Sequence, residues 1–157
     1  MINGAFTEIL LVGLAALLLV AAAIDVRTFT ISNRLNLAVA LFAPVYWLSI
    51  SLPLWPGVGI QLAAGAGVFV LLAGAFYAGM MGGGDVKLAA ALALWFSPLS
   101  TIKFLVLMSL AGGVLTVGIL AFHRLKRREG RPEIPYGVAI AFGGLAILTQ
   151  RFLNQFA

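Results

Sequence analysis

Cysteine is absent from this chain, histidine occurs once and only five residues are acidic. The first absence excludes a disulfide framework, a thiolate zinc site and a cysteine nucleophile. One histidine cannot make an HExxH zinc motif, and the sequence has no GxSxG nucleophile elbow. Charged residues make up 10% of the 157 and hydrophobic ones 62%, against about 25% charged and 45–50% apolar in soluble proteins. That balance argues against a water-soluble globule. No cofactor and no metal is expected.

What fills the chain instead is a series of hydrophobic runs, at about residues 5–24, 35–52, 58–78, 86–96, 102–122 and 135–152. A bilayer core about 30 Å thick needs roughly 20 apolar residues per helix. The chain therefore reads as an all-α polytopic membrane protein with about six transmembrane helices. The pieces between the runs are too short for a second domain, so residues 1–157 form a single integral-membrane domain. Met1 to Glu8 carries no Lys or Arg, which makes a secretory signal peptide a poor reading even though Ala21 to Ala23 resembles a cleavage site. The fourth run is short: at 1.5 Å per residue it covers about 17 Å, and Pro98 stops it from extending. It reads as a short crossing helix that starts below the membrane surface, where protein or water covers the backbone of Gly82 to Gly84. Asp85 would then lie at membrane depth.

Positive charge sets the orientation, because cytoplasmic loops hold the excess of Lys and Arg. An outside N-terminus puts Arg27, Arg34, Lys87 and the run Arg124, Lys126, Arg127, Arg128 and Arg131 inside, leaving Lys103 and Arg151 outside. Asp25 and Asp85 then share the cytoplasmic face. The basic run reads as a topology determinant that meets anionic lipid, tempered by Glu129 and Glu133, so the net charge of +5 points to membrane and not to nucleic acid. His123 sits beside it at a membrane edge. Small residues four apart at Ala75 and Gly79, Gly112 and Thr116, and Ala139 and Gly143 are spaced for close helix packing.

The acids are the candidate chemistry. Asp25 follows an unbroken apolar stretch, and charge at such depth tends to mark function; it could equally end the span by pairing with Arg27 or capping the next helix. Gly82, Gly83 and Gly84 allow a sharp turn and a close approach before Asp85 opens a helix, although Asp as an ordinary N-cap fits the same residues. The glycines are not followed by the Lys and Ser or Thr of a phosphate-binding loop. Two carboxylates brought within hydrogen-bonding distance share one proton and titrate in separate steps. That is the aspartic-protease arrangement, with one Asp activating water and the other polarising the peptide carbonyl.

Asp25, Val26 and Arg27 through Ile31, Ser32 and Asn33, then Gly82 through Asp85 followed by Val86 and Lys87, and finally Ile134, Pro135, Tyr136, Gly137 and Val138 together resemble the type IV prepilin peptidases. That family is marked by D(L/V)R…IPN, GxGD and PYG or PFG segments. The resemblance implies that Asp25 and Asp85 are the catalytic aspartates of a membrane endopeptidase, with Gly82, Gly84, Lys87, Asn33, Pro135 and Gly137 supporting them. Ser32 departs from the usual Pro. Larger family members carry a cysteine-rich zinc loop and methylate the new pilin N-terminus; this chain has no such loop, which weakens the expectation of N-methylation. It is similar to the short form of tight-adherence (Flp-type) pilus systems. The implied substrate is a prepilin with a basic leader, cut at the cytoplasmic face of the bacterial inner membrane, and other pilus-assembly components are further candidate partners. Two other classes fit the bare residues: a small ion or proton transporter using the two acids, and a non-catalytic assembly protein on the same fold.

Overall fold

The computed structural model describes residues 4–126, 130 and 132–156, without the side chains of residues 155 and 156. Of the basic run, Arg127, Arg128 and Arg131 lie outside the described residues, as does Glu129. The chain is all-α: α1 (Gly4–Thr28), α2 (Asn33–Ser49), α3 (Gly59–Tyr77), α4 (Gly83–Ala93), α5 (Pro98–Leu125) and α6 (Tyr136–Phe156), with one wide turn, Leu54–Val58, leading into α3. Among the described residues four segments are long and apolar enough to cross a membrane: Gly4–Thr28, Leu54–Tyr77, Pro98–Leu125 and Tyr136–Asn154. α2 has 17 residues and α4 has 11, so the fourth helix is short, as its sequence requires.

Side-chain periodicity explains how these helices meet. α1 buries Leu11, Leu14, Leu18, Ala21 and Asp25, alternating steps of three and four that put all five on one face. On α2 the same spacing selects Asn36, Val39, Ala43 and Tyr46. α4 is different, burying Asp85, Val86, Leu88, Ala89, Ala91, Leu92 and Ala93 on every side, because α2, α3 and α6 surround it. Side chains such as Leu41, Val70, Val114 and Val117 are exposed on the outside of the bundle, where hydrocarbon would cover them.

Contacts along the helices give their directions. Asn36 donates to the Gly84 carbonyl at 2.9 Å, and eleven residues further on Trp47 Nε1 donates to the Leu94 carbonyl at 2.8 Å. α2 and α4 therefore run side by side in the same sense. The start of α1 meets the end of α2 through Thr7 and Ser49 at 3.0 Å. Gly137 faces Asp25 and Gly144 faces Leu18, so α6 runs antiparallel to α1. A Cβ on Gly144 would stand 2.8 Å from Leu18 Cδ1, and one on Gly143 3.1 Å from the Met108 backbone nitrogen; these absent methyl groups let α6 press against α1 and α5. Gly112 takes the ring of Tyr136, whose hydroxyl lies 3.3 Å from Thr116 Oγ1. Tyr136 is thus half-buried against α5. Ala75 and Gly79 make no comparable contact: nothing lies within 4 Å of a Cβ on Gly79, which ends its helix in a left-handed conformation with φ 69°.

Candidate functional site

One end of the bundle gathers the C-terminus of α1 and the N-termini of α2, α4 and α6. Asp25 opens the last turn of α1, on the same buried line as its leucines, and is only 2% exposed. It is therefore neither an exposed span end nor paired with Arg27, which is exposed. α1 stops four residues later, where Phe29 takes a left-handed φ of 51° and donates its N–H to the Asp25 carbonyl at 2.8 Å. The chain then turns through Thr30 and Ile31, and Ser32 caps α2 by accepting the Leu35 N–H at 3.3 Å. Serine at the usual proline position thus supplies a different start signal for the same helix.

Asp85 is on the third residue of α4, so it is not the N-cap. Gly82 occupies that place, and Asp85 Oδ2 reaches back to accept the Gly82 N–H at 3.1 Å. Both a free N–H and the positive end of the helix are satisfied by this contact. Gly84 has a separate duty: a Cβ there would sit 2.7 Å from the Ile31 carbonyl oxygen. Only glycine lets the first turn of α4 touch the backbone that follows Asp25. Asn36 holds the same joint by donating to the Gly84 carbonyl, while Lys87 Nζ donates to Asn33 Oδ1 at 2.9 Å.

Gly137 completes the cradle. A Cβ at this position would fall 2.7 Å from Asp25 Oδ2 and 2.7 Å from Ile31 Cδ1. The first turn of α6 thereby packs directly against the Asp25 carboxyl group, at the positive end of that helix. Pro135 stands just before the helix and accepts the Val138 N–H at 3.1 Å. Asp25 Oδ2 has no hydrogen-bond partner among the described residues, and the contact of Gly84 with Ile31 sets the first turn of α4, which carries Asp85, beside the segment that follows α1. Asp85 is 8% exposed.

The site residues expected from sequence thus converge: Asp25, Asp85, Gly82, Gly84, Asn33, Lys87, Pro135 and Gly137 all belong to this one end. Sequence reasoning missed Asn36 and the part Ile31 plays as the spacer that both glycines clear. Asn36 had a legible signal, since it opens the line Asn36, Val39, Ala43 and Tyr46 and so falls on the buried face of α2. The acids are at one end of the bundle and not midway along opposed half-helices, an arrangement that does not favour an ion or proton relay. Among the described residues no group of three metal-ligating side chains forms.

A family model described as the type IV leader peptidase family matches residues 12–117. The chain belongs to the type IV leader peptidase family. The matched segment carries both aspartates and runs from the third turn of α1 into the second half of α5. A prepilin leader peptidase/N-methyltransferase of Burkholderia pseudomallei strain 1026b is 30% identical over 149 residues, covering 87% of this chain and 44% of that protein. The protein of the same name in strain K96243 gives the same figures. The chain therefore spans less than half the length of these curated relatives. No solved structure matches. In this leader peptidase family member the three glycine-assisted contacts, at Gly82, Gly84 and Gly137, all press on an aspartate or on the loop between α1 and α2.

Proposed function

We propose that the chain is an aspartic endopeptidase that removes the basic leader from type IV-like prepilins of the Flp type, with Asp25 and Asp85 as its catalytic pair. The observation that carries this reading is the convergence of two buried carboxylates from α1 and α4 at one end of the helix bundle. One ionised aspartate takes a proton from water as that water attacks the scissile carbonyl carbon. The protonated partner donates a hydrogen bond to the carbonyl oxygen as it becomes an oxyanion. Collapse of the tetrahedral intermediate breaks the C–N bond, and a carboxyl proton goes to the leaving nitrogen. The excess of basic residues at this end supports a cytoplasmic orientation, and a hydrophobic pilin helix in the same bilayer would deliver its leader junction there. N-methylation forms no part of the proposal.

The test is leader removal from a co-expressed prepilin, followed by electrophoretic shift and N-terminal sequencing. Asp25→Asn and Asp85→Asn are each expected to abolish processing while inserting into membranes at the wild-type level. Complete processing by either variant would sink the catalytic assignment.

A further inference from the structure

The opposite end of the bundle contains a second built feature, an open cavity of about 550 Å³ lined by residues of α1, α2, α3, α5 and α6 and of the segments that follow α2 and α4. Two cations, Lys103 and Arg151, line it together with Gln61, Ser97 and Ser100, and none of its lining residues is acidic. Glu8, one turn from the lining residue Leu11 on α1, does not reach it. We propose that this cavity binds a phosphate-bearing anion.

Four independent features point to that chemistry. Arg151 is fixed in advance: its guanidinium donates to the Tyr46 hydroxyl and lies over the Tyr46 ring, 5.3 Å from the centroid. Tyr46 is itself buried and stacked on Trp95 at 5.2 Å. A planar fork held this way loses little freedom when it grips a tetrahedral oxyanion. The second feature is Lys103, whose ammonium lines the same space from the second turn of α5 together with Ser97 and Ser100. Gln61 is the third: it lines the cavity, is 7% exposed, and its Oε1 has no partner among the described residues. The orphan oxygen accepts from a donor such as a ligand hydroxyl, while the amide NH2 of the same side chain can donate to a phosphate oxygen. Last, Leu11, Phe96 and Ile147 line the remainder with apolar surface. That mixture suits the glycerol phosphate region of a phospholipid, and the polar portion alone suits free phosphate. The two sources share the chemistry and differ in the attached chain.

The experiment uses the full chain in nanodiscs, with the thermal unfolding midpoint and the lipids retained in native mass spectrometry as readouts. Phosphatidylglycerol in place of phosphatidylcholine is expected to raise the midpoint of the wild type and to leave one tightly retained lipid. Inorganic phosphate added to phosphatidylcholine discs separates the sources: a rise there assigns free phosphate, and a rise with phosphatidylglycerol alone assigns the headgroup. Arg124→Gln/Lys126→Gln removes charge from the other end and is expected to keep the effect. Arg151→Gln and, with the Arg151–Tyr46 contact left intact, Lys103→Gln/Ser100→Ala are each expected to lose more than half of the shift. If Arg151→Gln fails to fold, the second variant decides alone. A full shift in Lys103→Gln/Ser100→Ala, or no wild-type shift with either source, overturns the proposal.

Discussion

At Gly137 a single hydrogen atom occupies the place where any other residue would carry a carbon, and that place is 2.7 Å from a carboxylate oxygen of Asp25. Such an approach is far inside van der Waals contact, so Gly137→Ala has to push Asp25, Ile31 or the whole start of α6 aside. Overpacking of this kind costs about 1–3 kcal/mol. The expected outcome, if the proposed catalytic pair is right, is a loss of leader processing larger than the loss of thermal stability, because the displaced group is then the reacting carboxylate. Processing assays beside detergent melting curves measure both; wild-type turnover in Gly137→Ala would show that Asp25 tolerates displacement. Gly84 obeys the same logic against the Ile31 backbone, which cannot rotate away as a side chain can.

The start of α2 is where an element tolerates a change of residue without a change of shape. Ser32 has φ −69° and ψ 145°, values open to proline, and its N–H donates to no group among the described residues. Ser32→Pro deletes the capping contact to Leu35, worth about 1 kcal/mol, and recovers about 0.4–1 kcal/mol by restricting the unfolded chain. The two nearly cancel, so the variant is expected to keep wild-type processing and a melting temperature within a few degrees. A collapse of either would mean that the serine hydroxyl has a further task. The same element shows what was legible in the sequence. Apolar runs, the short α4 and the placement of Asp25 and Asp85 at one end of the bundle followed from hydropathy, Pro98 and the positive-charge bias. The true place of Asp85 in its helix did not, since a glycine N-cap has no side chain to announce it. Nor did Asn36, because a polar residue in the first turn of a helix reads as solvated until the helix is placed against α4.

Taken as a whole, the molecule keeps both acids nearly out of reach, with exposures of 2% for Asp25 and 8% for Asp85. On the proposed reading, a leader peptide has to part some of the elements that cover them. The joint between α2 and α4, held at its rim by Lys87 and Asn33, is the place to test. The chain has no cysteine of its own, so Asn33→Cys/Lys87→Cys can be bridged with a short bifunctional thiol reagent without side reactions. Processing by the unbridged variant and its loss on bridging are the expected results, restored when a cleavable bridge is cut. Unchanged processing after complete bridging would show that the substrate enters elsewhere.

The buried line on α1 also makes the position of Asp25 an angle as much as a depth. Each residue turns an α-helix by about 100°, and the line Leu11, Leu14, Leu18, Ala21 and Asp25 stays in phase only because its steps average three and a half. One residue inserted between Leu18 and Asp25 would lengthen the helix by only about 1.5 Å and yet swing the carboxyl group away from Gly137 toward hydrocarbon, where charge is costly. The outer face of α1 is free to change its side chains, but the helix cannot change its count: it works as a dial whose setting, read out at Gly137, is fixed at Leu18 by Gly144.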